Sequence, residues 1–127
     1  MNGRVLLSKE SRAFATTPLT LLPAASNNMT PQERKIRTAI RNLDLTLMRK
    51  RVMQPRSHGG CGWSLKKALE YEDQYRGFLF VKWKYPKKIN IPTRNIDEYW
   101  HAHILYTKKY FKDCDRIFGK YQHHNPF

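Results

Sequence analysis

Among the side chains toward the C-terminal end that could ligate metals or move protons, Asp97, His101, His103, Cys114, His123 and His124 stand out. Neutral imidazole and thiolate suit zinc and other borderline or soft transition metals, and a carboxylate can add a further bond or orient an imidazole from behind. By type, His101, His103, Cys114 and His123 are the four preferred ligands, with Asp97 and His124 as orienting groups or alternative ligands and zinc as the metal. Helix geometry restricts this set. On one straight helix His101 and His103 differ by about 200° and leave opposite faces, whereas His103 and Cys114 share a face but stand about 16 Å apart along the axis. A site that joins them therefore requires a break, and the Thr107 hydroxyl can cap a fresh helix from Lys108. A second arrangement needs no break. Asp97 and His101 are four residues apart on one face, so His123 or His124 can approach from the tail and complete a two- or three-ligand group.

The same residues also fit packing. His103 lies on a stripe with Ile96, Trp100, Thr107, Tyr110 and Cys114, the pattern of a core face that holds a hydrogen-bonded histidine. Trp100 and Tyr110 then act as core anchors, Cys114 as a small buried hydrophobe, and Gly119 as a helix terminator. A Cys114–His103 nucleophile and base meets the same axial separation as the metal pair. A metal-dependent oxidase or hydrolase needs an open coordination position, so the residues neither require nor exclude an enzyme.

The elements that must position these groups are helical. Thr30-Pro31-Gln32-Glu33 is a capping box with proline at the first helical position. Ile36, Ile40, Leu43 and Leu47 continue at helical spacing toward Pro55, which ends the first helix or closely follows its end. The loop Arg56-Ser57-His58-Gly59-Gly60-Cys61-Gly62 follows, with His58 and Cys61 as further ligand types. Ser64 caps a second helix into the low eighties, with Trp63 and Ala68 placed as a hydrophobic staple and Glu72 interrupting its apolar face. Its end is ambiguous, because Val81, Trp83 and Tyr85 alternate with Lys82 and Lys84 as a short strand would. A third helical region runs from a cap at Asn95 to Gly119. The expected architecture is all-α: a compact bundle of three main helices, the third broken near Thr107, with a flexible N-terminal tail. Residues 1–28 read as a disordered tail or an organelle-targeting segment, with Met29 as an alternative start, and residues 29–127 as one helical domain.

Charge bounds the partners. In 127 residues, 24 Lys and Arg face 10 Asp and Glu, a formal charge of +14. Such a surface attracts polyanions, and nucleic acid, an anionic membrane face or an acidic protein would each gain from contact; nucleic acid or an acidic protein surface is the expected partner, and a structural subunit within a larger assembly is a related reading. Arg37, Arg41 and Lys50 on the first helix are the candidate polyanion contacts. Two cysteines are too few for a disulfide scaffold, and no apolar run is long enough to span a membrane. These features point to an intracellular, cytoplasmic protein, or an organellar one if residues 1–28 act as a targeting peptide.

One resemblance runs through the candidate segment. Asp97, Trp100-His101-Ala102-His103, Tyr110, Asp113-Cys114, Phe118-Gly119 and His123-His124-Asn125-Pro126 look like the signature of the glycine-rich domain-containing protein-like family. Gly62-Trp63-Ser64-Leu65, Tyr75-Arg76-Gly77-Phe78-Leu79, Tyr85-Pro86 and Ile91-Pro92-Thr93 extend the likeness over about half of the chain. The glycine-rich region itself is missing, as are the parts in which some plant members resemble RNA-binding proteins, so the resemblance implies neither an activity nor RNA binding.

Overall fold

The computed structural model describes residues 17–22 and 29–124, and among them the regular structure is entirely helical. Five α-helices follow one another: α1 (Pro31–Arg41), α2 (Thr46–Met53), α3 (Leu65–Lys84), α4 (Arg94–Leu105) and α5 (Thr107–Phe118). Two short 3-10 turns, Leu19–Leu21 and Arg56–His58, precede α1 and follow α2. The all-α class agrees with the sequence, but five helices replace the expected three, because two of the expected helical regions are each broken in the middle.

The first break lies at Asn42–Leu45. Leu43 and Leu45 are both buried there, on either side of exposed Asp44, a spacing that one continuous helix cannot serve as economically as a turn. Polar groups stabilise the turn from both ends. The Asp44 carboxylate accepts from the Thr46 amide at 3.1 Å, and Arg76 donates to the carbonyls of Ile40 (2.5 Å), which also accepts from the Leu43 amide at 3.2 Å, and Leu43 (3.0 Å). The second break falls at Tyr106, next to the expected Thr107. Thr107 begins α5, and no side-chain hydrogen bond caps that helix.

The expected caps of α1 and α3 form. Thr30 accepts from Glu33 N at 3.1 Å and Ser64 from Lys67 N at 3.2 Å. At α4 the cap position is Thr93 rather than Asn95, without a side-chain bond. No strand forms at Val81–Tyr85, since α3 continues through Lys84. Phe78, Leu79, Phe80 and Val81 are buried in succession, because α3 packs against α1, α2, α4 and the N-terminal turn and so has apolar neighbours on several sides. α2 and α5 complete the bundle by packing on α4, and α5 also meets α1.

The expected tail at 1–28 falls mostly outside the described residues, but residues 17–22 within it are seated on the bundle. Leu19 and Leu22 are buried, Arg37 donates to both their carbonyls, and the Thr20 hydroxyl donates to Asp73 at 2.6 Å. Gly77 of α3 permits this contact: a Cβ there would stand 1.9 Å from the Thr17 carbonyl oxygen. No helix among the described residues is long and apolar enough to cross a membrane.

Candidate functional site

Asp97 and His101 project from one face of α4, four residues apart, with their nearest side-chain atoms 3.6 Å apart. The third member comes from the C-terminal segment. α5 ends at Gly119, whose φ of 70° is the left-handed conformation that lets the chain reverse without a Cβ clash. The Tyr110 hydroxyl donates to the Gln122 carbonyl at 2.6 Å and receives the Trp100 indole N–H at 2.9 Å, which pins the returning segment against α4. His124 then lies on Trp100, with ring centroids 4.2 Å apart, and beside His101 at 4.6 Å. Its Nε2 meets Asp97 Oδ1 at 2.5 Å.

One ligand-type atom from each of Asp97, His101 and His124 falls within 4.8 Å of the others, and no other group of three or more His, Cys, Asp or Glu side chains does so among the described residues. Donors bound to one ion at about 2.0–2.1 Å stand roughly 3.3 Å apart in a tetrahedral arrangement, so small side-chain rotations bring the trio to ligand distance. His101 is exposed, while Asp97 and His124 are half-buried, so the cluster opens to solvent on the His101 side.

The other preferred ligands lie elsewhere. His103 is only 2% exposed and both its ring nitrogens are occupied. Asp113 Oδ2 lies 2.8 Å from Nε2, and the ionised carboxylate can only accept, which puts the imidazole proton on Nε2. Nδ1 then accepts from the Tyr75 hydroxyl at 2.7 Å. Burial holds the His103 pKa below its ordinary value, against the opposing pull of Asp113. Asp113 in turn is held below the usual carboxylate range: burial pushes it up, but hydrogen bonds from His103 and Lys109 outweigh that. His103 is thus a satisfied core histidine with no lone pair to offer.

Cys114 is buried next to Tyr110 and the Gln122 backbone, and burial pushes its thiol up, away from the thiolate a metal needs. His123 is exposed and packs on Tyr121 at 4.7 Å. The four-residue set His101, His103, Cys114 and His123 therefore does not converge, because α4 and α5 turn His103 and Cys114 into the core while the tail presents His124 rather than His123. Cys61 is close to Glu98 (3.5 Å), and burial together with that carboxylate raises its pKa to about 11, while His58 is exposed.

The proposed polyanion contacts also separate. Arg37 is buried and bonded to the carbonyls of Leu19 and Leu22, whereas Arg41 and Lys50 are exposed. A helix-periodic arginine reads as surface in sequence, yet Arg37 serves the N-terminal segment instead.

A family model describes residues 36–127, from α1 through the candidate cluster. The chain belongs to the UCP032817-like family. This membership overturns the resemblance to the glycine-rich domain-containing protein-like family. The residues behind that resemblance are mostly packing and turn positions: Trp63, Tyr75, Phe78, Trp100, His103 and Cys114 are buried, Gly77 admits a close backbone contact, and Gly119 terminates a helix. Such positions follow from the needs of a core and do not by themselves select a family; the end of the motif at 125–127 lies outside the described residues. No curated protein and no solved structure matches the chain. For the UCP032817-like chain the site must therefore speak through its own chemistry, and Asp97 and His101 both lie within the matched span, as does His124.

Proposed function

We propose that this chain is a metal-binding protein in which Asp97, His101 and His124 hold one divalent transition metal, zinc by donor type. The observation that carries the reading is the convergence of one carboxylate and two imidazoles within 4.8 Å, drawn from one helix face and a returning C-terminal segment. Two nitrogens and one oxygen form a donor set that zinc accepts, and three protein ligands leave a position for an outside molecule on the exposed His101 side. Without metal, His124 donates to Asp97, so the pair is held in place by its own hydrogen bond and must exchange that proton for the ion. Trp100 beneath His124 supplies the packing that orients the ring.

The test is a zinc competition titration on tag-free protein against a chromogenic chelator. One equivalent binds, binding weakens on acidification because the imidazoles must be neutral, and Asp97→Ala, His101→Ala and His124→Ala each lower affinity by about tenfold or more. Cys114→Ser and His123→Ala leave it unchanged. Absence of stoichiometric binding, or an equal loss on His123→Ala, overturns the reading.

A further inference from the structure

The connection between α3 and α4, residues 85–93, combines exposed aliphatic side chains with uncompensated positive charge. Ile89 is 75% exposed and Ile91 39%, while Asn90 between them is 7% exposed. Residues 89–93 are non-helical, and alternation about a buried Asn90 turns both isoleucines to the outer side of the loop. Pro86 and Pro92 restrict the backbone at each end.

Charge around this tip is one-sided. No Asp or Glu occurs between Asp73 and Asp97, whereas Lys82, Lys84, Lys87, Lys88 and Arg94 all fall in that interval. Lys84 pairs with Glu33 at 3.7 Å, and Lys87, Lys88 and Arg94 make no ion pair among the described residues. The ammonium of Lys88 lies 4.6 Å from the centre of the Tyr85 ring, which holds it close to the base of the loop.

We propose that this loop is a membrane-contacting element: Ile89 and Ile91 enter the interfacial zone of a bilayer rich in anionic lipids, while Lys87, Lys88 and Arg94 meet the lipid phosphates. A single exposed isoleucine is ordinary on a protein surface. Two exposed isoleucines in one short loop, with Lys87, Lys88 and Arg94 flanking them in sequence, match the division between acyl chains and headgroups, in which lysine stems lie along apolar surface and their charges reach the phosphates. Nucleic acid would satisfy the charges but offers no burial to branched aliphatic side chains at the tip, and the aromatic groups able to stack on bases are occupied: Trp83 packs on Phe80 at 5.9 Å and Tyr85 lies under lysines. None of these residues belongs to the proposed metal site.

Sedimentation of the full chain with vesicles tests the proposal. Phosphatidylcholine vesicles containing about one-third phosphatidylserine should bind the protein, and pure phosphatidylcholine vesicles should not. Because a basic chain adheres to any anionic surface, the deciding variant keeps the charge: Ile89→Ser with Ile91→Ser should lower partitioning to the anionic vesicles by roughly tenfold or more. Lys87→Ser with Lys88→Ser should lower it further than either change alone, at roughly fivefold per lysine near the surface. Both pairs change exposed side chains, and circular dichroism checks that helix content is kept. Wild-type partitioning by the isoleucine variant overturns the proposal. So does binding to single-stranded RNA or duplex DNA that exceeds vesicle binding and is indifferent to the isoleucines, which would assign the patch to nucleic acid.

Discussion

Glu72 and His103 are buried polar side chains, and each links several helices through its hydrogen bonds. Glu72 stands on the apolar stripe of α3 as an interruption, yet in the fold it accepts from Arg49 at 3.0 Å and from the Tyr99 hydroxyl at 2.5 Å, and lies 3.9 Å from Arg76. It ties α2, α3 and α4 together through one carboxylate, and burial, reinforced by the hydrogen bond to and charge of Glu72, pushes the Tyr99 phenol far above its ordinary pKa. Glu72→Gln should lower stability by about 2 kcal/mol, since two arginines lose the counter-charge that offsets their partial burial, and urea unfolding at neutral pH measures it. His103 is the second case. Its pKa is lowered in the fold, so the unfolded chain binds the proton more readily. The stabilisation it provides is fully present above its ordinary value of 6.5 and is lost as pH falls below that. Urea midpoints should therefore drop between pH 7.5 and pH 5.5, and His103→Gln, though less stable at neutral pH, should show a shallower drop. An identical slope in that variant would place the titrating group elsewhere.

At the scale of elements, the sequence speaks clearly where a local rule decides and falls silent where tertiary contact does. The capping residues Thr30 and Ser64 and the stop at Gly119 are legible because each follows from backbone chemistry within a few residues, whereas the break at Tyr106 lies next to the expected one without its expected cause, since His103 and Cys114 share no site and Thr107 forms no side-chain cap. The break at Asn42–Leu45 is not legible, since Leu43 continues the helical spacing of Ile36 and Ile40. What opens the helix there is burial of Leu45 as well as Leu43, together with Arg76 arriving from a different helix to donate to the carbonyls of Ile40 and Leu43. The candidate site divides in the same way. The i,i+4 pair Asp97 and His101 can be read directly, and a tail histidine as third member can be foreseen, but the choice of His124 over His123 depends on the Tyr110–Gln122 hydrogen bond that sets the phase of the returning segment. Asp44 gives a test at this scale. It is exposed and its role is local, so Asp44→Ala should lower the thermal midpoint slightly through loss of the bond to the Thr46 amide while leaving the proposed zinc binding intact. Thermal unfolding with and without zinc separates the two effects, and a loss of zinc affinity would show that the α1–α2 turn reaches the site.

Over the whole molecule, the segment at residues 17–22 changes what counts as the folded unit, since the family span begins only at residue 36. Leu19 and Leu22 add apolar burial, and Arg37 donates to both of their carbonyls, so the segment both completes the core and occupies a guanidinium that would otherwise face it. Against this stands the entropy of ordering six residues, on the order of 1–2 kcal/mol each for the backbone. The net contribution is consequently small beside the gross terms, and deletion of residues 1–22 should lower stability by about 1–3 kcal/mol while leaving a folded helical bundle. Gly77 makes the contact itself testable. In the full chain Gly77→Ala sets a methyl against the Thr17 carbonyl, where a Cβ would stand 1.9 Å from the oxygen, and the segment must lift from α3 to relieve it. The variant should therefore be destabilised, although alanine is the better helix former. In the chain lacking residues 1–22 the obstacle is gone, and the same substitution should stabilise α3 by about 1 kcal/mol. A double-mutant cycle on unfolding free energies reads this reversal of sign directly. If Gly77→Ala instead stabilises both chains equally, residues 17–22 do not rest on α3 in solution, and the stability of the bundle comes from residues 29–124 alone.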